Sequence, residues 1–180
     1  VRLCERLDVH ETEFVWFHRL LDSRCVACSE PGPLVCNTCH DESTTAVNPV
    51  RHINGVPIFV VGEYRGALQA VIRRAKNFRA RSAIRPFEVD VRTIGEQFPG
   101  AAAIPIPPSR LGWRARGYSL ADDATRFTGL PVERTLRFVG ASGQKGRGAQ
   151  ERWAGRRMVA QATRHHDVVV VDDVVTTGAT

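Results

Sequence analysis

Two adjacent carboxylates, Asp172 and Asp173, follow four consecutive valines, and the polar run Thr176-Thr177-Gly178-Ala179-Thr180 begins two residues later. An ionised carboxylate removed from water without a partner is costly. Acids at the mouth of so apolar a strand therefore point to a ligand. In an open parallel sheet, ligands bind beyond the carboxyl ends of the strands, which is where this pair would stand. The pair suits hydrogen bonds to the vicinal hydroxyls of a ribose, directly or through a divalent ion. The threonine-glycine run suits a phosphate. Its N–H groups can turn inward, its hydroxyls can donate, and Gly178 lets the backbone approach closely, with a helix N-terminus expected to follow. Together the two features read as a ribose-5-phosphate site.

A second constellation lies near the N-terminus. Cys25 and Cys28 form one CxxC knuckle, Cys36 and Cys39 another, with seven residues between them. Two such knuckles joined by a Pro-Gly-Pro turn can bring four thiolates into a tetrahedron around zinc. All four ligands would be protein, which leaves no open coordination position and makes the metal structural. A dithiol redox pair and unliganded cysteines are the competing readings. Loss of a ligand is expected to unfold this N-terminal module first, because metal binding is its folding energy. Cys4 stands apart as a packed or free thiol. An odd count of five cysteines argues against a disulfide framework.

The elements that must position these groups follow from periodicity. Within residues 1–24, Phe14, Phe17, Leu20 and Leu21 fall on one side of a helix, and the stretch DESTTAVNP after the cysteines reads as a connection. Residues 56–64 (VPIFVVGEY), 101–106, 131–139 and 168–171 read as strands. Residues 65–78, with Leu68, Val71, Ile72, Ala75 and Phe78 at helical spacing, and residues 117–127 read as helices. Strands alternating with helices, and continuous Val/Ile runs, predict an α/β domain with a parallel sheet covered on both faces by helices. The 168–171 strand is expected to be the most buried.

Composition sets the outer bounds. A chain of 180 residues, 43% hydrophobic and 24% charged, fits one ordinary globular domain with a small appendage. The net charge is +6, and only Lys76 and Lys145 among the 25 basic residues are lysines. Arginine presents a rigid fork of donors suited to phosphates and carboxylates. The second helix has a basic outer face, Arg65, Arg73, Arg74 and Lys76, continued by Arg79, Arg81 and Arg85, and no acid lies between Tyr64 and Phe87. Either an anion site or a general arginine bias accounts for it. Glu5, Asp8, Glu11 and Glu13 stand where a secretory signal would be apolar. No run approaches the roughly 18 apolar residues of a membrane span. A cytoplasmic protein is expected.

The run VVVVDDVVTTGAT resembles the 5-phosphoribosyl-1-pyrophosphate (PRPP) motif of type I phosphoribosyltransferases. The segment IPIPPSRLGWRARGYSLA, residues 104–121, resembles the competence-associated ComF family, as do Gln144, Glu151-Arg152 and the basic helix with Lys76. Arg116-Gly117-Tyr118 match the family's Arg-Gly-aromatic, while Ser119 and Gly155 stand where the family usually has Asn. The resemblance covers roughly residues 14–180. It implies a type I phosphoribosyltransferase fold over residues 55–180, preceded by a zinc module at 25–40. It implies that Asp172, Asp173 and Thr176, Thr177, Gly178, Ala179 and Thr180 bind PRPP or a nucleoside 5′-monophosphate. Pyrophosphate contacts fall to Pro107, Pro108, Ser109, Arg110 and Gly117, with Arg114 or Arg116 as charge donors. A mobile loop over PRPP corresponds to residues 142–150. There Lys145 and Arg147 would act with the acids in catalysis, although a plain surface loop is the bland alternative.

Three functions follow from the resemblance. One is a PRPP-dependent transferase with Mg²⁺ as companion of PRPP. A second is a non-catalytic nucleotide-binding protein acting in uptake of single-stranded DNA beside a competence helicase. A third is a nucleic-acid clamp made of the cysteine module and the arginine face, which the scarcity of aromatics weakens. His165 and His166 precede the valine strand at its amino end and are expected to be solvated, away from the site. Related transferases continue past the phosphate loop, so the chain is expected to be a truncated form, roughly 30–60 residues short by the size of one helix and one or two strands.

Overall fold

The computed structural model describes residues 23–45, 49–53, 55–77, 80–139 and 157–175. In chain order the elements are α1 (Asn37–Ser43), β1 (Pro49–Ile53), β2 (Val56–Phe59), α2 (Gly66–Asn77), a 3-10 helix (Arg81–Phe87), α3 (Glu88–Gly95), β3 (Ala102–Pro105), α4 (Arg110–Arg116), α5 (Leu120–Phe127), β4 (Leu136–Val139), β5 (Arg157–Ala160) and β6 (Val168–Val171). The helical reading of residues 1–24 lies almost wholly outside the described residues.

A parallel sheet is present and holds the valine strand. β3 and β6 pair in parallel, from Ala102 opposite Val168 to Pro105 opposite Val171. On its other edge β3 makes a parallel bridge from Ala103 to Val132. The Ala103 N–H donates to the Pro131 carbonyl at 2.8 Å, and the Glu133 N–H donates to the Ala103 carbonyl at 3.0 Å. β3 is thus flanked on both edges and buried along its length. α5 packs against both β3 and β6.

Three expectations are corrected here. The stretch 56–64 was expected to give a buried strand of the parallel sheet. Instead β2 pairs antiparallel with β1, Ile53 opposite Val56, and Val56 is 60% exposed. The sequence at the corner is Asn54-Gly55, a strong two-residue hairpin signal, and Gly55 takes φ +82°. The stretch 131–139 does not form one parallel strand. Val132 makes the single bridge, and β4 turns away to pair antiparallel with β5. Glu133, Arg134 and Arg137 make this segment too polar for burial on two faces. Finally, β6 is apolar but not the most buried strand: Val168 and Val170 are 43% and 55% exposed. Composition alone does not say which face of a strand a helix covers; here β3 is the central, buried one.

α2 and α5 stand close to where periodicity put them. α2 buries Leu68, Val71 and Ala75 on one stripe and exposes Arg73 and Arg74 on the other. α5 begins at Leu120 because Ser119 caps it, its Oγ accepting from the Asp122 N–H at 3.2 Å. α4 was not foreseen. Ser109 caps it in the same way, accepting from the Gly112 N–H at 3.0 Å, and Gly117 ends it at φ +75°. The pattern is a serine N-cap and a glycine C-cap separated by seven residues.

The four-cysteine segment shares the core of the domain. Cys25, Val35 and Cys39 lie in one buried cluster with Leu68, Val71, Ala75, Ala83, Ile84, Phe87, Tyr118 and Leu120. α1 packs on α2. The junction is close: a Cβ added at Gly62, ahead of α2, would lie 1.7 Å from the Ser43 carbonyl oxygen at the end of α1. His40 on α1 stacks on Phe87 with ring centroids 4.9 Å apart and meets Asp90 of α3 at 2.9 Å.

Candidate functional site

Asp172 and Asp173 lie immediately past the carboxyl end of β6. The neighbouring exit of β3 is held against that end, because the Ile106 N–H donates to the Val171 carbonyl at 2.9 Å. The Pro107-Pro108-Ser109 turn and the acid pair therefore leave adjacent parallel strands on the same side, as ligand binding beyond strand ends requires. His165 sits at the opposite end, its Nδ1 3.3 Å from the Gly100 carbonyl and its Nε2 3.7 Å from Glu133. It is half-buried where full solvation was expected, while His166 is exposed.

Each acid has one oxygen engaged by the protein. Asp172 Oδ1 accepts the Asp173 backbone N–H at 2.8 Å. Asp173 Oδ1 accepts from the Lys76 ammonium at 2.7 Å. Among the described residues, neither Oδ2 has a hydrogen-bond partner. Burial pushes the Asp172 carboxyl up to about 6, the charge of Asp173 adds to this, and the Asp173 N–H and Lys76 oppose it.

Lys76 was expected only as part of a basic helix face. Its role as the counter-ion of Asp173 was missed, although one cue was available: it is one of two lysines in a chain otherwise supplied with arginine. Arg81, from the same basic stretch, is also spoken for. Its Nε donates to Asp123 Oδ2 at 2.6 Å, its Nη2 donates to Asp123 Oδ1, and its guanidinium lies 5.7 Å from the Tyr118 ring centroid. The basic face is therefore partly internal structure.

The remaining expected site residues divide. Arg110 and Arg114 are exposed on α4. Arg116 is half-buried; among the described residues its Nε is sequestered without a hydrogen-bond partner. Its guanidinium folds over Gly112, where an added Cβ would lie 2.8 Å from Nη2. Gly117 serves as the helix stop. Thr176, Thr177, Gly178, Ala179 and Thr180, residues 142–150 with Gln144, Lys145 and Arg147, and Glu151 and Arg152 lie outside the described residues.

The four cysteines converge as the spacing predicted. The Sγ atoms of Cys25, Cys28, Cys36 and Cys39 all lie within 4.8 Å of one another, and Cys28 and Cys36 are 3.8 Å apart. Zinc–sulfur bonds of about 2.3 Å in a tetrahedron separate sulfurs by about 3.8 Å. The thiols are free of disulfides. Burial raises the Cys25 thiol, but backbone N–H groups of Cys28, Cys36 and Ala27 outweigh it and bring the thiol down to about 6. Burial and the neighbouring sulfurs push Cys39 up. Four soft donors at this spacing, two of them buried, can hold a structural metal such as zinc.

Among the described residues no helix is long and apolar enough to cross a membrane. Comparison with protein-family models, curated proteins and solved structures finds no match for the chain.

Two outcomes follow. The purified chain should carry one zinc per chain by elemental analysis, and Cys36→Ser should lose it. Because Cys25 and Cys39 belong to the common core, metal loss should lower one cooperative melting transition instead of melting a separate module; a wild-type chain without metal contradicts this. The second concerns Asp172, whose folded pKa of about 6 lies above the ordinary 3.8. The folded chain holds this proton more tightly than the unfolded chain, so that stability is complete below about pH 4 and lost as pH rises through about 6. Asp172→Asn keeps an acceptor for the Asp173 N–H and removes the charge. It should match wild type at pH 4 and exceed it by about 1–3 kcal/mol at pH 8 in denaturant titrations. Equal stability at both pH values would show that Asp172 is not desolvated.

Proposed function

We propose that this chain is a phosphoribosyltransferase-like protein of the ComF type, binding the 5-phosphoribosyl group of PRPP at Asp172 and Asp173. The observation that carries the reading is the acid pair at the carboxyl end of a parallel strand, beside the Pro-rich exit of the adjacent strand. Among the described residues both acids keep an acceptor oxygen for a hydroxyl, which suits a vicinal diol. The fold is proposed to be the type I phosphoribosyltransferase fold, and the cysteine cluster its zinc module.

The chemistry asked of such a site is modest. Pyrophosphate leaves C1 of the ribose, an oxocarbenium-like centre develops, and a nitrogen base attacks it. No covalent nucleophile is needed; positioning and charge stabilisation supply the rate. The two carboxylates orient the ribose by its hydroxyls. The reading assigns the pyrophosphate to Pro107, Pro108, Ser109 and Arg110 at the exit of β3, with Mg²⁺ entering with PRPP as part of the substrate. Ser119 occupies a position where the family has Asn, and its described role is to cap α5. Asn and Ser are both good N-caps, so this departure preserves local structure.

Calorimetry with Mg-PRPP and with nucleoside 5′-monophosphates tests the reading. Binding is expected to wild type, and Asp172→Asn/Asp173→Asn should weaken it at least about a hundredfold by losing two charge-assisted hydrogen bonds. Unchanged affinity in the double variant would overturn the assignment. A screen of nitrogen bases for pyrophosphate release then separates the transferase from a non-catalytic nucleotide binder.

A further inference from the structure

We propose that Lys76 is a positioning residue of the acid site: it holds Asp173 as a hydroxyl acceptor and so makes the site select ribose over 2-deoxyribose. The proposal rests on the phosphoribosyl reading above and names the feature of the ligand that the site recognises.

The argument starts from charge. Two carboxylates on consecutive residues, both partly buried, repel each other, and without a cation one of them takes up a proton. A protonated carboxyl directs an O–H outward and gives up part of its acceptor capacity. Lys76 sets a positive charge against that repulsion at Asp173. Its ammonium lies 2.7 Å from Oδ1, and the partners' side chains are 29% and 19% exposed. An ammonium has donors only, so it fixes Asp173 with Oδ1 turned to α2 and leaves Oδ2 as acceptor. The Asp173 N–H does the same for Asp172 through its Oδ1. The result, among the described residues, is two carboxylates, each anchored by one oxygen, with two acceptors left for two hydroxyls. A 2-deoxy sugar would fill one and leave the other desolvated and unpaired, which is what gives hydrogen-bonding sites their discrimination.

Lys76 is also held in place independently of any ligand. It lies in the last turn of α2, where carbonyls lack helical partners. The Tyr118 hydroxyl donates to the Ala75 carbonyl, one residue before Lys76. Arg81 lies over the Tyr118 ring and is anchored on buried Asp123, which Arg126 also reaches at 3.2 Å. Tyr118, with Arg81 tied to buried Asp123 of α5, therefore supports the helix end that presents the ammonium. An exposed lysine meeting an exposed acid would not need such support.

The test measures ribose 5-phosphate and 2-deoxyribose 5-phosphate affinity for wild type, Lys76→Met, Lys76→Arg, Asp173→Asn and Lys76→Met/Asp173→Asn, each checked for a cooperative melt. Wild type should prefer the ribose sugar. Lys76→Met should weaken ribose 5-phosphate about ten- to a hundredfold, the scale of one hydrogen bond to a charged group, and shrink the preference towards unity. Lys76→Arg should keep the preference. In the Asp173→Asn background, Lys76→Met should cost little more, because it acts through Asp173. If Lys76→Met fails to fold, the contrast between Lys76→Arg and Asp173→Asn carries the test. Wild-type affinity and preference in Lys76→Met, or full additivity with Asp173→Asn, would overturn the inference while leaving the phosphoribosyl reading intact. No binding of ribose 5-phosphate to wild type would overturn both.

Discussion

Two carboxylates on consecutive residues cannot both be desolvated and ionised unless the fold supplies donors. In this chain the donors are one backbone N–H and one ammonium, and much of the architecture can be traced from them. The N–H comes from Asp173 itself and costs nothing beyond the local turn after β6. The ammonium comes from a residue 97 positions earlier in the chain. To bring it there, α2 must end beside the carboxyl edge of the parallel strands. Tyr118 and the ion pair of Arg81 with buried Asp123 hold that end. The acids are thus a constraint on the packing of α2 and α5 as much as a site built upon it.

The same helix joins the two candidate centres. α2 packs on α1, which carries Cys39 and His40, and its last turn carries Lys76. Cys25 and Cys39 are buried among Leu68, Val71 and Ala75. A cysteine cluster in this position does more than staple a loop. It closes one side of the core against which α2 is laid, and the tight approach of Gly62 to the Ser43 carbonyl leaves no slack at that junction. His40, bridging to Asp90 and stacked on Phe87, adds a polar and an aromatic contact to the same seam.

What the sequence made legible was local. The valine run with its two acids, the CxxC pairs and the buried stripe of α2 each lie within a short window, and their geometry followed from spacing. Partnerships across the chain were not legible. Nothing local marks Lys76 as the partner of Asp173, or Arg81 as the partner of Asp123, because a basic helix face looks the same whether solvated or paired. Strand placement failed for a related reason. Val56–Phe59 and Leu136–Val139 are apolar enough for a parallel sheet, but the Asn54-Gly55 corner and the polar run from Glu133 to Arg137 send them into antiparallel ribbons. α4 was hidden because its seven residues bury nothing, so no apolar period announces it; only Ser109 and Gly117 mark its ends.

The central claim is that the acid pair past β6, held by Lys76, is where a phosphoribosyl ligand binds. Carboxyl-carbon NMR on aspartate-labelled protein tests it most directly. The account predicts that Asp172 titrates near pH 6 in the free chain, and that ribose 5-phosphate shifts the Asp172 and Asp173 resonances while leaving Asp90 and Asp122 in place. Shifts confined to other aspartates, with Asp172 and Asp173 unmoved at saturating ligand, would contradict it.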